Sequence, residues 1–137
     1  MSLILDCSTT LAWVYSDETT APVRAAFDLV SQSGAWVPAL WRLEVANVLE
    51  ISTRRGRHDA DFRDATLADL AQLPIQVDGE TDSQAWGDTL QLAERHQLTL
   101  YDAAYLELAL RRNLPLATLD RDLRRAAGSA KVPLLGM

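Results

Sequence analysis

Five apolar runs, each too short to make a stable helix, punctuate the chain: "LILD" (Leu3 to Asp6), "AWVP" (Ala35 to Pro38), "PIQVD" (Pro74 to Asp78), "LPLATLD" (Leu114 to Asp120) and "VPLLG" (Val132 to Gly136). Runs of four to eight apolar residues bounded by turn formers read as buried strands. Between them lie segments of helical period: about Thr19 to Gln32 with Gly34 as its stop, Pro38 to Arg55 closed by Gly56, Asp59 to Gln72, Asp82 to His96, Tyr101 to Arg112, and a short one from about Asp120 to Ala127. Ser8, Thr9 and Thr10 after the first run suit a strand that passes directly into a helix. Strands alternating with helices predict an α/β chain, a three-layer sandwich with a mainly parallel central sheet flanked by helices. In such sheets crossovers are right-handed, and ligands collect at the carboxyl ends of the strands where the strand order switches.

A chain of 137 residues, with 48% hydrophobic and 23% charged residues, has the length and composition of one ordinary globular domain, and no repeat, linker or low-complexity tract divides it. One domain over 1–137 is therefore expected. No run of about 18 apolar residues is present, and "MSLILDCSTT" lacks the basic flank and long apolar core of a signal peptide, so the expected location is the cytoplasm. Cys7 is the only cysteine, which excludes an internal disulfide and a multi-thiolate zinc site; it reads as a small buried residue. The formal net charge of −6 argues against a broad basic surface for long nucleic acids. Lys131 is the only lysine, and neither a P-loop nor a G-x-G-x-x-G pattern occurs, which removes the nucleotide-binding enzymes of those types.

The acids carry the chemistry. Wound at about 100° per residue, the segment "LTLYDAAYLELALRRN" is apolar almost all round. Glu107 and Arg111 share a narrow polar stripe, and Asp102 lies on the other side, between Leu106 and Ala109. A carboxylate facing inward needs a cation, a hydrogen-bond network or a helix-end role. Asp102 can thus be a site residue, or simply complement the helix dipole with Thr99 as the cap. Asp6 and Asp120 end two strands, and each can also cap the helix that follows; Asp122 shares both options with Asp120. Glu44 has no such explanation, because it sits mid-helix in an apolar arc between Leu40, Val48 and Ile51, with Asn47 one turn on. Taken together, Asp6, Glu44, Asp102 and Asp120 could not stay ionised side by side without cations. An all-oxygen set selects Mg²⁺ or Mn²⁺, and such a metal suits phosphodiester hydrolysis.

The pieces "LILDCS", "ALWRLEVANVL", "LTLYDAAYLELAL" and "LPLATLDRDLRRAA", in this order and spacing, resemble the PIN domain family, and more narrowly its VapC-type ribonuclease toxins. The resemblance implies a PIN-like sandwich acting as a Mg²⁺- or Mn²⁺-dependent endoribonuclease, the toxin of a toxin–antitoxin pair. Carried over by motif, the family's four acids fall on Asp6, Glu44, Asp102 and Asp120 as catalytic residues and metal ligands, with Asp122 as substitute for the last. Asp6 and Asp102 match the most dependable ligands, and Ser8, Asn47 and Thr118 match polar positions that support the acids by hydrogen bonding. A cognate antitoxin protein and a homodimer are also implied.

Candidate RNA contacts are Arg54, Arg55 and Arg57 at the end of the Glu44 helix, Arg111 and Arg112, and Arg121, Arg124 and Arg125 after the fourth acid; ordinary helix ends are the alternative for each cluster. Trp13, Trp36, Trp41 and Trp86 read as core or interface residues rather than base-stacking platforms. Two other functions compete. A haloacid-dehalogenase-like phosphatase would use Asp6 as nucleophile, but its D-x-D motif is interrupted here by Ser8; a non-catalytic protein-binding module would use the acids only as caps.

Overall fold

The computed structural model describes residues 1–137. Five parallel strands form one sheet in the order β3-β2-β1-β4-β5: β1 (Leu3–Leu5), β2 (Ala35–Val37), β3 (Ile75–Val77), β4 (Leu116–Ala117) and β5 (Leu134–Leu135). Helices fill the connections: α1 (Cys7–Val14), α2 (Ala21–Ser33), α3 (Trp41–Arg54), α4 (Ala60–Ala71), α5 (Thr81–Gln84), α6 (Asp88–His96), α7 (Leu100–Arg112) and α8 (Arg121–Ser129). The predicted α/β sandwich with a parallel sheet is what the chain forms, and no helix is long and apolar enough to cross a membrane.

The order decides where a site can lie. From β1 the chain steps outward through β2 to β3, then returns to pair β4 against the other side of β1. The strand order therefore switches between β1 and β4, and the carboxyl ends of those two strands open the crevice in which ligands of such sheets bind. Asp6 follows one, and Thr118 to Asp120 the other.

The core explains why short strands suffice. Leu3, Ile4 and Leu5 are almost wholly buried, and Tyr105, Leu106 and Leu108 of α7 cover the sheet beside them. Each such side chain contributes about 1.5–3 kcal/mol on burial, enough to hold a strand that has few ladder bonds. At the edge the pattern fails: β3 is half-buried at Ile75 and exposed at Gln76 and Val77, and α4 buries no residue fully. Gly34, with φ +79°, ends α2 against the neighbouring loop, where a Cβ would stand 2.9 Å from the Pro74 carbonyl oxygen.

Three expected boundaries shift, the first at α3, which begins at Trp41 rather than Pro38 and so puts Glu44 in its first turn instead of mid-helix, although its side chain makes no cap bond there. The helix expected over Asp82 to His96 is two helices, α5 and α6, parted at Ala85 to Gly87. Glycine is a poor helix former, Gly87 takes φ −110° and ψ −111°, and Trp86 beside it is 88% exposed, so no packing compensates for continuing the helix. The segment after Asp6 is a complete helix, α1, followed by a 3-10 turn at Ser16–Glu18, so α2 begins only at Ala21, capped by Thr20.

Candidate active site

Asp6 leaves β1 at the N-terminus of α1, yet its carboxylate makes no capping bond to that helix. Instead Oδ2 accepts two hydroxyl hydrogen bonds, from Ser8 Oγ at 2.6 Å and from Thr118 Oγ1 at 2.7 Å. The hydroxyls are themselves held: Ser8 Oγ accepts the Leu119 N–H at 2.9 Å, and Thr118 Oγ1 accepts the Asp120 N–H at 3.1 Å. β1 and β4 are thus tied at their carboxyl ends through one buried acid. Burial pushes the Asp6 carboxyl above its usual range, and the hydroxyls pull it partly back.

Asp102 stands in the first turn of α7, but Thr99 is the cap: its Oγ1 accepts the Asp102 N–H at 3.1 Å. The Asp102 carboxylate is not needed to start the helix. Burial first, then the charges of Asp120, Asp6 and Glu44, push its pKa up to about 6. Glu44 is half-buried on α3; burial and the Asp6 charge raise its pKa, while a hydrogen bond from Tyr105 Oη to Oε1 at 2.5 Å lowers it. Asp120 does act as a cap, accepting the Leu123 N–H on Oδ2 at 2.8 Å, and so fulfils the bland reading while also facing Asp102. Asp122 is exposed and lies 4.0 Å from Arg125.

One feature separates these acids from all others in the chain. The carboxylates that are not exposed are Asp6, Glu44, Glu50, Asp78, Asp102, Glu107 and Asp120. Glu50 pairs with Arg54 and Arg63, and Asp78 and Glu107 pair with Arg111. The four that remain without any basic partner are Asp6, Glu44, Asp102 and Asp120, the four acids singled out in the sequence. They do not converge into a closed ligand shell, since no three acids stand at distances that could enclose an ion. Coulomb repulsion nevertheless couples Asp102 to the other three. The donors are all oxygen and the surplus charge is negative, a set that fits a hard divalent cation.

The other predicted residues divide sharply. Ser8 and Thr118 donate hydrogen bonds to Asp6, whereas Asn47 is exposed and shares none of the acids' hydrogen bonds. Arg111 and Arg112, predicted as RNA contacts, are committed elsewhere: Arg111 joins Asp78, Glu80 and Glu107, and Arg112 joins Asp78 and lies 3.4 Å over the Trp36 ring. The narrow stripe of Glu107 and Arg111 is accordingly a buried clamp. Arg124 donates to the Thr118 and Leu135 carbonyls at 2.7 and 3.0 Å, and Arg125 to the His96 carbonyl. Arg57 covers the Tyr15 ring and pairs with Asp17 and Glu18, and Arg54 pairs with Glu50. Arg55 and Arg121 are exposed and make no ion pair. Trp41 is buried and donates to Thr10 Oγ1, while Trp86 is the tryptophan that stands outside the core. Burial pushes the buried Cys7 thiol up to about 12, so it carries no nucleophile.

Tyr105 is the residue that pattern reading missed. Its ring is 0% exposed, and helical periodicity counts it as core. The available signal was its hydroxyl, which needs a partner when buried, and its place three residues after Asp102, on the neighbouring face of α7.

Two cavities stand apart from the four acids. A cavity of about 290 Å³ between α3, α4 and β3, and another of about 380 Å³ between α6 and α7, contain none of them.

The sequence matches the PIN domain over residues 3–129. It is 30% identical to Ribonuclease VapC3 of Pyrobaculum aerophilum over 123 residues, 90% of this chain and 92% of that protein. A crystal structure of a Pyrobaculum aerophilum protein superimposes with a TM-score of 0.71 at 23% identity, covering 98% of this chain and 83% of the other. VapBC2 of Rickettsia felis, bound to a DNA fragment from its promoter, contains a chain with a TM-score of 0.66 at 12% identity, covering 98% and 97%.

Proposed function

This chain belongs to the PIN domain family, and from that premise we propose that it is a metal-dependent endoribonuclease, the toxin of a toxin–antitoxin pair. The observation that carries the reading is the quartet Asp6, Glu44, Asp102 and Asp120, which alone among the non-exposed acids has no arginine partner, with Asp6 and Asp120 following the strands where the order switches and Asp102 coupled by charge to the other three. Asp6 and Asp102, completed by Glu44 and Asp120, would hold Mg²⁺ or Mn²⁺. When bound, the ion offsets their charge, lowers the pKa of a water and braces the charge that develops on the phosphate.

The chain's own residues do the rest. Ser8 and Thr118 fix Asp6 by two hydroxyl bonds to one oxygen, so the carboxylate keeps its orientation. The Leu123 N–H fixes Asp120 in the same way. Arg121, exposed and next to Asp120, would meet an RNA phosphate. Arg55 is the second available contact, whereas Arg54 and Arg57 would first have to exchange their acidic partners. A homodimer acting in the cytoplasm, blocked by its antitoxin, completes the proposal. It rests on the family resemblance and on the VapC name of the relative. The phosphatase alternative finds no cation beside Asp6, whose side-chain partners are hydroxyls.

The test is cleavage of total RNA with Mg²⁺ or Mn²⁺, with and without chelator, by wild type, Asp6→Asn and Asp102→Asn. Wild type is expected to cut only with metal, and both variants to lose on the order of a hundredfold or more in rate. Equal cutting by all three, or none by folded wild type with any divalent metal, overturns the reading.

A further inference from the structure

We propose that Tyr105 is a positioning residue of the nuclease site, whose buried phenol holds Glu44 in place by tying one of its oxygens to α7. The inference rests on the reading of Glu44 as a site acid. Tyr105 is completely buried, and its hydroxyl makes one hydrogen bond, to Glu44 Oε1 at 2.5 Å. Packing alone would be served by phenylalanine, because burying a hydroxyl is unfavourable unless it finds a partner. The partner is 61 residues away and belongs to a different layer of contacts: α3 packs on α1 and α4, whereas α7 packs on α6, α8 and β1.

The bond does for Glu44 what Ser8 and Thr118 do for Asp6. A glutamate has three rotatable bonds, and the like charges of Asp6 and Asp102 stand near this one, so an untethered Glu44 would swing toward solvent and away from the quartet. Held through Oε1, it keeps Oε2 without a protein partner and therefore available. Asp6 and Asp120 are fixed by neighbours within or beside the β4 loop; Glu44 stands in the first turn of α3, and Tyr105 is its only hydrogen-bond partner among side chains.

Wild type, Tyr105→Phe, Glu44→Gln and the double variant are compared for RNA cleavage and, separately, for Mn²⁺ affinity read by electron paramagnetic resonance without RNA. Tyr105→Phe is expected to lower kcat roughly tenfold, in line with a charge-assisted hydrogen bond, with KM for RNA unchanged and Mn²⁺ bound more weakly. The double variant is expected to be no worse than Glu44→Gln, because the phenol acts only through that carboxylate. Additive losses, or full activity of Tyr105→Phe beside an impaired Glu44→Gln, overturn the proposal while leaving Glu44 in the site. An unimpaired Glu44→Gln removes Glu44 from the site and the proposal with it. If Tyr105→Phe does not fold, Glu44→Asp, which withdraws the carboxylate from the phenol but keeps the charge, is expected to give the same loss of kcat and Mn²⁺ affinity; wild-type values there overturn the proposal.

Discussion

Two groups of buried acids sit at the same edge of one sheet region and have opposite fates. At β3, Asp78 is 2% exposed and accepts hydrogen bonds from both Arg111 and Arg112, which hold its carboxyl below the usual range. At β1 and β4, Asp6 is 5% exposed and has neutral partners only, chiefly two hydroxyls, and burial pushes its carboxyl up. Both side chains are closed to solvent, but burial dominates at Asp6 while the arginine partner outweighs it at Asp78. A buried acid that is already neutralised can act as a clamp, and one that is solvated only by neutral donors still needs a positive charge from elsewhere.

The contrast breaks if the two groups respond alike to loss of charge. Asp78→Asn should leave RNA cleavage per folded molecule near wild type but cost about 3 kcal/mol of stability, because Arg111 and Arg112 lose their shared buried acceptor. Chemical denaturation alongside the cleavage assay checks it. Asp6→Asn should do the reverse: activity is lost and stability is kept or raised, since an uncompensated buried charge has been removed. An inactive but stable Asp78→Asn would erase the distinction.

Within the quartet, the supporting hydroxyls sharpen it. Thr118 is 0% exposed and links Asp6 to the start of the Asp120 turn. Thr118→Val keeps the shape and removes both bonds, and is expected to lower kcat about 10- to 100-fold and weaken metal binding. A variant of unchanged kcat would mean that Asp6 is oriented by its backbone alone.

Which parts of this were legible in the sequence follows from the range of the interactions. Asp6 and Asp120 are set by strand length and strand order, so local apolar runs suffice to place them at one edge. Glu44 and Asp102 were legible because helical period puts a charge on an apolar face, and a charge there demands a reason. What period cannot supply is the partner. Glu107 and Arg111 form an ordinary i, i+4 pair, and only the approach of Asp78, 33 residues away, makes the stripe a buried clamp rather than a solvated one. The same reason hides Arg112 over Trp36 and Arg124 on the β4 and β5 carbonyls, which is why these arginines read as RNA contacts. The break at Gly87 was present in the composition, but an amphipathic pattern runs through it, and the missing packing around Trp86 becomes visible only in three dimensions.

The smallest effect is a dependence of stability on pH, and it too has opposite signs in the two groups. Asp102 carries a pKa raised from 3.8 to about 6, so between these values the folded chain binds more protons than the unfolded one. Stability without metal should therefore fall as pH rises from about 4 to 6, and the raised carboxyls of Asp6 and Glu44 add in the same direction. Asp78 works the other way: its lowered pKa contributes stability that is present above 3.8 and lost as pH falls through the folded value. The melting temperature of metal-free protein is thus expected to decline modestly from pH 4 to 6, while Asp102→Asn flattens the decline. Saturating Mn²⁺ at pH 7 should raise the melting temperature of wild type more than that of Asp102→Asn, because a cation bound by the ionised quartet stabilises only the folded state. A wild-type curve that rises steadily from pH 4 to 6 would show that the arginine-paired acids, not the quartet, dominate the electrostatics of the fold.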